Sequence, residues 1–233
     1  MSDISRQKFL LAGVCCLVFV VAQIAQRIIF FTVPIAESGL SELQTLGHPL
    51  HIARSLSVLL SIVLLLFPFV LFARYGKTFV TQTVIIIFFS GFVLYELGYR
   101  SVELFLVQLK WAPRVMASIQ VEGGLLSKFE LFKEIKNAVY FPLLLCHGAG
   151  SALTARYVPF QGADKILKAA LLVNALRVFL RIGGMFFGIQ WMNTLTGTYY
   201  FPFILLIWIP ITLWCFLRFR SDNTDATMDM NQR

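Results

Sequence analysis

Residues 171–184, LLVNALRVFLRIGG, place Asn174, Arg177 and Arg181 inside a run apolar enough to cross a bilayer. Their spacing is i, i+3, i+7, so on an α-helix the three side chains share one face. Counted from Lys168, Arg177 lies roughly 13 Å and Arg181 roughly 20 Å into the membrane. A central Arg costs about 2.5–3.5 kcal/mol on insertion scales, so it is expected to face other helices rather than lipid. A guanidinium held in low dielectric can do one kind of chemistry well: it binds negative charge.

Partners for this stripe are expected on the other apolar segments. YELGYRSVEL carries Glu96, Arg100 and Glu103, and the i, i+4 and i, i+3 spacings allow a ladder of ion pairs. The first segment offers Gln23, Gln26 and Arg27. GHPLHIARS offers His48, His51 and Arg54, and the fourth segment Cys146, His147 and Ser151. Arg27, Arg54, Arg100, Arg177 and Arg181 outnumber Glu96 and Glu103, and the surplus calls for an anion. The expected ligand is a phospholipid or polyprenyl head group, or a carboxylate. Plainer roles stand beside this one. Arg27, Arg54 and Arg100 could anchor helix ends among head groups, Glu96 could serve only as partner to Arg100, and His147 could be a packed histidine. No metal site is expected, because the H-x-x-H at His48 and His51 is too short a pattern. No cofactor is expected either, since one embedded histidine does not supply two facing haem ligands.

These residues need helices to hold them. The chain has 233 residues, 58% hydrophobic and 14% charged, against roughly 25% charged in a soluble domain. A span takes about 20 apolar residues. Six segments qualify: about 9–31, 52–72, 79–99 with a possible run to Lys110, 138–155, 166–190 and 199–217. The expectation is an all-α polytopic bundle of about six transmembrane helices, forming one domain over 1–220. Residues 221–233 are polar, lack periodicity and are expected to be a disordered tail. Arg6 and Lys8, Arg74 and Lys77, Arg156, Lys165 and Lys168, and Arg218 and Arg220 fall on one side of this arrangement. The positive-inside rule then puts both termini in the cytoplasm, in an inner (plasma) membrane.

The connection 103–137 departs from that rule, with Lys110, Arg114, Lys128, Lys133 and Lys136 on the outer side. Pro113 and Gly123-Gly124 punctuate it, and residues 104–121 are a candidate re-entrant or additional spanning piece. Leu125, Phe129, Phe132 and Ile135 recur at helical spacing. They suit a short helix on the membrane surface, or one covering the bundle. The net charge of +8 forms no basic block with interleaved aromatics, so nucleic acid is not an expected partner. Membrane lipids are expected partners, with an anionic head group or another membrane subunit as the specific one.

Two short motifs carry a family resemblance. CHGAGS, 146–151, resembles the Cys-x-Gly-x-x-Ser element of the exosortase/archaeosortase family, and NALRV, 174–178, resembles its Asn-x-x-Arg-hydrophobic element. Those enzymes are membrane-embedded transpeptidases. The resemblance implies Cys146 as nucleophile, Arg177 stabilising developing negative charge, and Asn193 where the family usually carries His or Arg. Three functional expectations therefore stand: a binder of an anionic lipid or small anion acting as carrier, sensor or accessory subunit; an intramembrane cysteine transpeptidase; and a structural subunit of a membrane complex.

Overall fold

A computed structural model describes residues 3–36, 39–117 and 123–231, with side chains over 7–36, 39–117 and 124–220. All regular structure among them is helical: α1 (Asp3–Thr32), α2 (Gly39–Leu46), α3 (Pro49–Leu64), α4 (Leu66–Ala73), α5 (Phe79–Val102), a π-helical segment (Glu103–Trp111), α6 (Ala112–Ala117), α7 (Gly123–Tyr157), α8 (Asp164–Phe186), α9 (Gln190–Thr198) and α10 (Tyr200–Asn231).

Local chemistry sets several boundaries. His48 caps α3, its Nδ1 accepting from the Leu50 N–H at 3.2 Å, and Pro49 opens the helix where no N–H is needed. Thr78 and Thr81 form a reciprocal capping box at the start of α5. Pro68 has no N–H for the Leu64 carbonyl, and the helix breaks there into α3 and α4. The π segment ends just ahead of Pro113, with Ala112 N–H reaching back to the Val107 carbonyl. The wider turn relieves the clash a proline ring makes with the preceding turn of an α-helix.

Among the described residues, five helical stretches are long and apolar enough to cross a membrane: Gln7–Thr32, Pro49–Ala73, Phe79–Ala117, Gly124–Tyr157 and Tyr200–Arg220. The 23-residue α8 carries Asp164, Lys165, Lys168, Arg177 and Arg181, and it is held among these. The packing order is cyclic: α1 meets α3 and α4, these meet α5, α5 meets α7, α7 meets α8, α8 meets α10, and α10 returns to α1. The closed ring buries an aromatic core that includes Phe69, Phe72, Phe89, Trp208 and Trp214. Small residues permit the closest approaches. A Cβ on Gly148 would lie 2.9 Å from Val178 Cγ1 of α8, and one on Gly150 3.2 Å from Phe88 Cβ of α5.

Phe79–Ala117 spans 39 residues and Gly124–Tyr157 spans 34. At 1.5 Å per residue both exceed a hydrocarbon core of about 30 Å by about 20 Å or more. The excess forms a helical hairpin at one end of the ring. There a second core of Leu43, Leu46, Val107, Trp111, Val115, Phe129 and Phe132 joins α2 to the hairpin. Lys133 ties α2 down further, its Nζ 3.1 Å from Glu42 and 3.0 Å from Glu130.

This hairpin corrects two expectations. Residues 104–117 do not re-enter; they continue the third long helix, and 118–121 lie outside the described residues. Residues 125–135 are not a separate surface helix, because nothing between Gly124 and Tyr157 breaks α7 and even Pro142 is accommodated within it. At the other end, α10 continues as helix to Asn231, where the sequence reads as disordered. Extension of an existing helix adds one hydrogen bond for each residue fixed. The side chains of 221–233 are outside the described set, as are Glu37 and Glu122.

Candidate anion-binding site

The stripe on α8 is turned inward. Asn174 and Arg177 are 2% and 6% exposed. Arg177 NH2 donates to Asn174 Oδ1 at 3.3 Å. Since Arg only donates, this fixes the amide: Nδ2 faces His147 Nε2 at 2.9 Å and Ser151 Oγ at 2.8 Å. Ser151 Oγ in turn donates to the His147 carbonyl at 2.8 Å. His147 Nε2 is therefore an acceptor and carries no proton. Its ring stacks on Phe92 with centroids 4.1 Å apart. The network locks α7 to α8, yet it offers Arg177 only a neutral amide. Arg177 Nε is buried without a hydrogen-bond partner, and the guanidinium carbon lies 5.8 Å from the Tyr200 ring centroid.

Two adjoining chambers meet here. The inner one, about 50 Å³, is walled by Glu96, Tyr99, Arg100, His147 and Arg177 together with Phe19, Phe92 and Trp208. The wider one, about 270 Å³, is walled by Gln26, Arg27, Arg181, Gly197 and Thr198. Gln23, Tyr140 and Tyr200 line both. A volume of about 50 Å³ holds one or two waters, whereas the wider chamber has room for a phosphate or carboxylate group.

α9 completes the wider chamber. Gly188, at φ +70°, turns the chain after α8, and α9 folds back on Gly183 and Gly184. A Cβ on Gly184 would lie 2.5 Å from the Asn193 nitrogen, so only glycine admits this approach. The fold-back brings Asn193 Oδ1 to 2.9 Å and Thr196 Oγ1 to 3.5 Å from Arg181 NH1.

The acids are already engaged. Glu96 Oε1 accepts from Tyr99 Oη at 2.7 Å and from Arg100 Nε at 3.0 Å. Glu103 accepts from Arg100 NH1 at 3.5 Å and from Lys136 Nζ at 3.2 Å. The ladder expected on α5 is present, and Lys136 of α7 extends it. Among the described residues, Arg27, Arg177 and Arg181 pair with no carboxylate. Arg27 instead covers the Phe31 ring at 4.4 Å.

The single cluster expected from the sequence is divided. Arg54 lies between α1 and α3, 3% exposed, its guanidinium 4.5 Å from the Phe30 centroid and within electrostatic reach of Glu103 and Arg100. It and Glu103 line neither chamber. His51 lines neither chamber, and its Nε2–H donates to the Val33 carbonyl at 2.9 Å. Cys146 is turned toward α5, where a Cβ on Gly91 would lie 3.0 Å from its Sγ, and it too lines neither chamber. Cys146, Arg177 and Asn193 are thus held by three different sets of neighbours. Missed in the sequence were the tyrosines. Tyr140, Leu143, Leu144 and His147 follow the 0, 3, 4, 7 rhythm of one helix face, and that rhythm was a signal for Tyr140.

A second polar knot, also missed, lies at the opposite end of the ring. Asp164 is 1% exposed and precedes the apolar stretch of α8. It accepts from Tyr75 Oη at 2.7 Å, Trp214 Nε1 at 2.9 Å and Arg218 Nε at 2.9 Å, and also from Arg218 NH2. Burial alone would raise its carboxyl pKa; the bonds from Arg218, Trp214 and Tyr75 outweigh burial and hold it below the usual carboxylate range. Burial, then the bond to Asp164, push the Tyr75 phenol up. Its sequence signal was an Asp in the first turn of a helix, where the helix dipole favours a negative charge.

Among the described residues no group of His, Cys, Asp and Glu has metal-site geometry. No protein family, no curated protein and no solved structure matches this chain.

Proposed function

We propose that this chain is a six-span membrane protein that binds an anionic group, a lipid head group or a small anion, in the wider polar chamber. One observation carries the reading: Arg27, Arg177 and Arg181 surround the two chambers and, among the described residues, none has a carboxylate partner. Arg27 and Arg181 line the volume that fits the anion. Arg177, behind the wall of Tyr140 and Tyr200, adds to the positive potential from a site shielded from water. An anion there replaces what solvent would supply to exposed guanidiniums.

Orientation follows from charge. Lys8, Arg74, Lys77, Arg156, Lys165, Lys168, Arg218 and Arg220 cluster at the end of the ring that carries Asp164. With α8 as a sixth span, the positive-inside rule puts that end and both termini in the cytoplasm. The chambers then open toward the outer side of an inner (plasma) membrane. Below them Phe69, Phe72, Phe89 and Trp214 fill the ring. This aromatic plug favours a binder, acting as sensor or accessory subunit, over a carrier. The transpeptidase reading has no such support, because Cys146 faces α5 and not the chambers.

The test is native mass spectrometry of gently extracted protein, wild type against Arg181→Gln and Arg177→Gln, with inorganic phosphate and phosphatidylglycerol as added probes. An anionic adduct on the wild type that both variants lose is the expected result. Equal adducts on all three proteins would refute the site.

A further inference from the structure

A groove of about 490 Å³ runs along the outside of the ring between α5 with its π segment and α7. One wall is Leu94, Gly98, Val102 and Leu106, and the other is Leu131, Ile135 and Val139. Each set repeats at four-residue intervals, so each is a continuous stripe on its helix. From Leu94 to Leu106 the stripe is about 18 Å long, the length of an extended long acyl chain. Its residues are open: Leu94 is 69% exposed, Leu131 55% and Ile135 53%. A Cβ added at Gly98 would meet no atom within 4 Å, so the floor of the groove is empty there.

Two cations interrupt this apolar surface. Lys136 stands over mid-groove, its Nζ 5.7 Å from the Tyr99 ring centroid while it bridges to Glu103. Lys128 lines the end away from Leu94 and has no carboxylate partner among the described residues. Counted from Phe79, Leu94 lies about 22 Å along α5, within the hydrocarbon, while Leu106 lies about 40 Å along, beyond it. The groove therefore starts in the membrane and leaves it, and its charges are at the half that leaves.

We infer that this groove holds one acyl chain of an anionic phospholipid, with the chain end at Leu94 and the phosphate between Lys136 and Lys128. Apolar walls with cations at the rim match a lipid and not a soluble anion, and the negative head complements Lys128 and Lys136 in the groove lining. This site is separate from the polar chambers and does not rest on the reading given for them. Tyr99 is the wall between the two, lining the groove on one side and bonding Glu96 on the other.

The experiment uses the full chain in nanodiscs of phosphatidylcholine containing a minority of phosphatidylglycerol, followed by delipidation and native mass spectrometry. Wild type should retain phosphatidylglycerol in preference to phosphatidylcholine. Gly98→Leu, whose Cβ would meet no atom within 4 Å and whose side chain enters the groove, should lose it. Lys128→Gln should hold it about fivefold less tightly. Equal retention of both lipids by wild type, or undiminished phosphatidylglycerol on Gly98→Leu, would overturn the proposal. So would a wild-type dimer that Gly98→Leu dissociates, since the groove would then hold a second copy. Arg181→Gln should keep the groove lipid, which separates this site's failure from that of the chambers.

Discussion

Replacing Asp164 by Ala removes one acceptor group from four donors in two places, the turn after α4 and α10. Trp214 is fully buried, and its indole N–H would be left unsatisfied at a cost of about 1–3 kcal/mol. Tyr75 adds a smaller loss, because its half-buried hydroxyl can find water. The Arg218 side chain is 36% exposed, so its charge rehydrates and its share is under about 1 kcal/mol. The sum is a destabilisation of about 2–4 kcal/mol. Asp164→Asn keeps one acceptor and should lose roughly half of that. The assay is reversible unfolding in mixed micelles, followed by circular dichroism during detergent titration. The pH dependence has a definite sign. The folded carboxyl titrates below its unfolded value, so its contribution is complete above about pH 4 and is lost as pH falls through the folded pKa. The gap between wild type and Asp164→Ala should therefore close on acidification. An Ala variant within about 0.5 kcal/mol of wild type at neutral pH would refute the account of this knot.

Gly184→Val would drive a side chain into the Asn193 backbone; it should cost at least about 1–3 kcal/mol and free Arg181 from Asn193, read by the same unfolding assay together with phosphate binding. Gln108 is fully buried with neither amide atom hydrogen-bonded, so Gln108→Leu should raise stability by about 1 kcal/mol, and a loss would show that the amide has a partner. Lys133→Ala breaks half-exposed ion pairs to Glu42 and Glu130 and should cost less than about 1 kcal/mol, shrinking further in high salt. Cys146→Ser should be silent in stability and in retained anion, and a large loss of either would return the cysteine to consideration.

Five of the six expected spans were legible because lipid exposure leaves a composition that water would not permit. The ladder of Glu96, Arg100 and Glu103 was legible from spacing on one helix. What stayed hidden depends on pairing between helices. Lys136 reaches Glu103 across 33 positions and Tyr75 reaches Asp164 across 89; neither residue type nor period encodes such distances. The same limit applied to the arginines. Arg54 and Arg177 look alike as charges in apolar runs, and only the rotation of α3 and α8 in the ring sends one onto Phe30 and the other into a chamber. Continuity of the hairpin was misjudged for a different reason. Charge along 125–136 suggested a helix lying flat, but a second core with α2 and the π segment supports it upright.

The nine π-helical residues have a consequence for how the long third helix tolerates change. Wider turns advance more slowly around the axis than α turns, so the part above Trp111 is out of phase with the part below Val102. The segment works as an angular joint: below it, side chains are aimed at the ring; at its end and above it, Trp111, Ala112 and Val115 are aimed at α2. Deleting a single residue between 103 and 111 would let the joint relax toward ordinary α geometry with the ring contacts below Val102 intact, yet the upper arm would swivel and present a different side to α2. Length, more than side-chain chemistry, is what that stretch must keep.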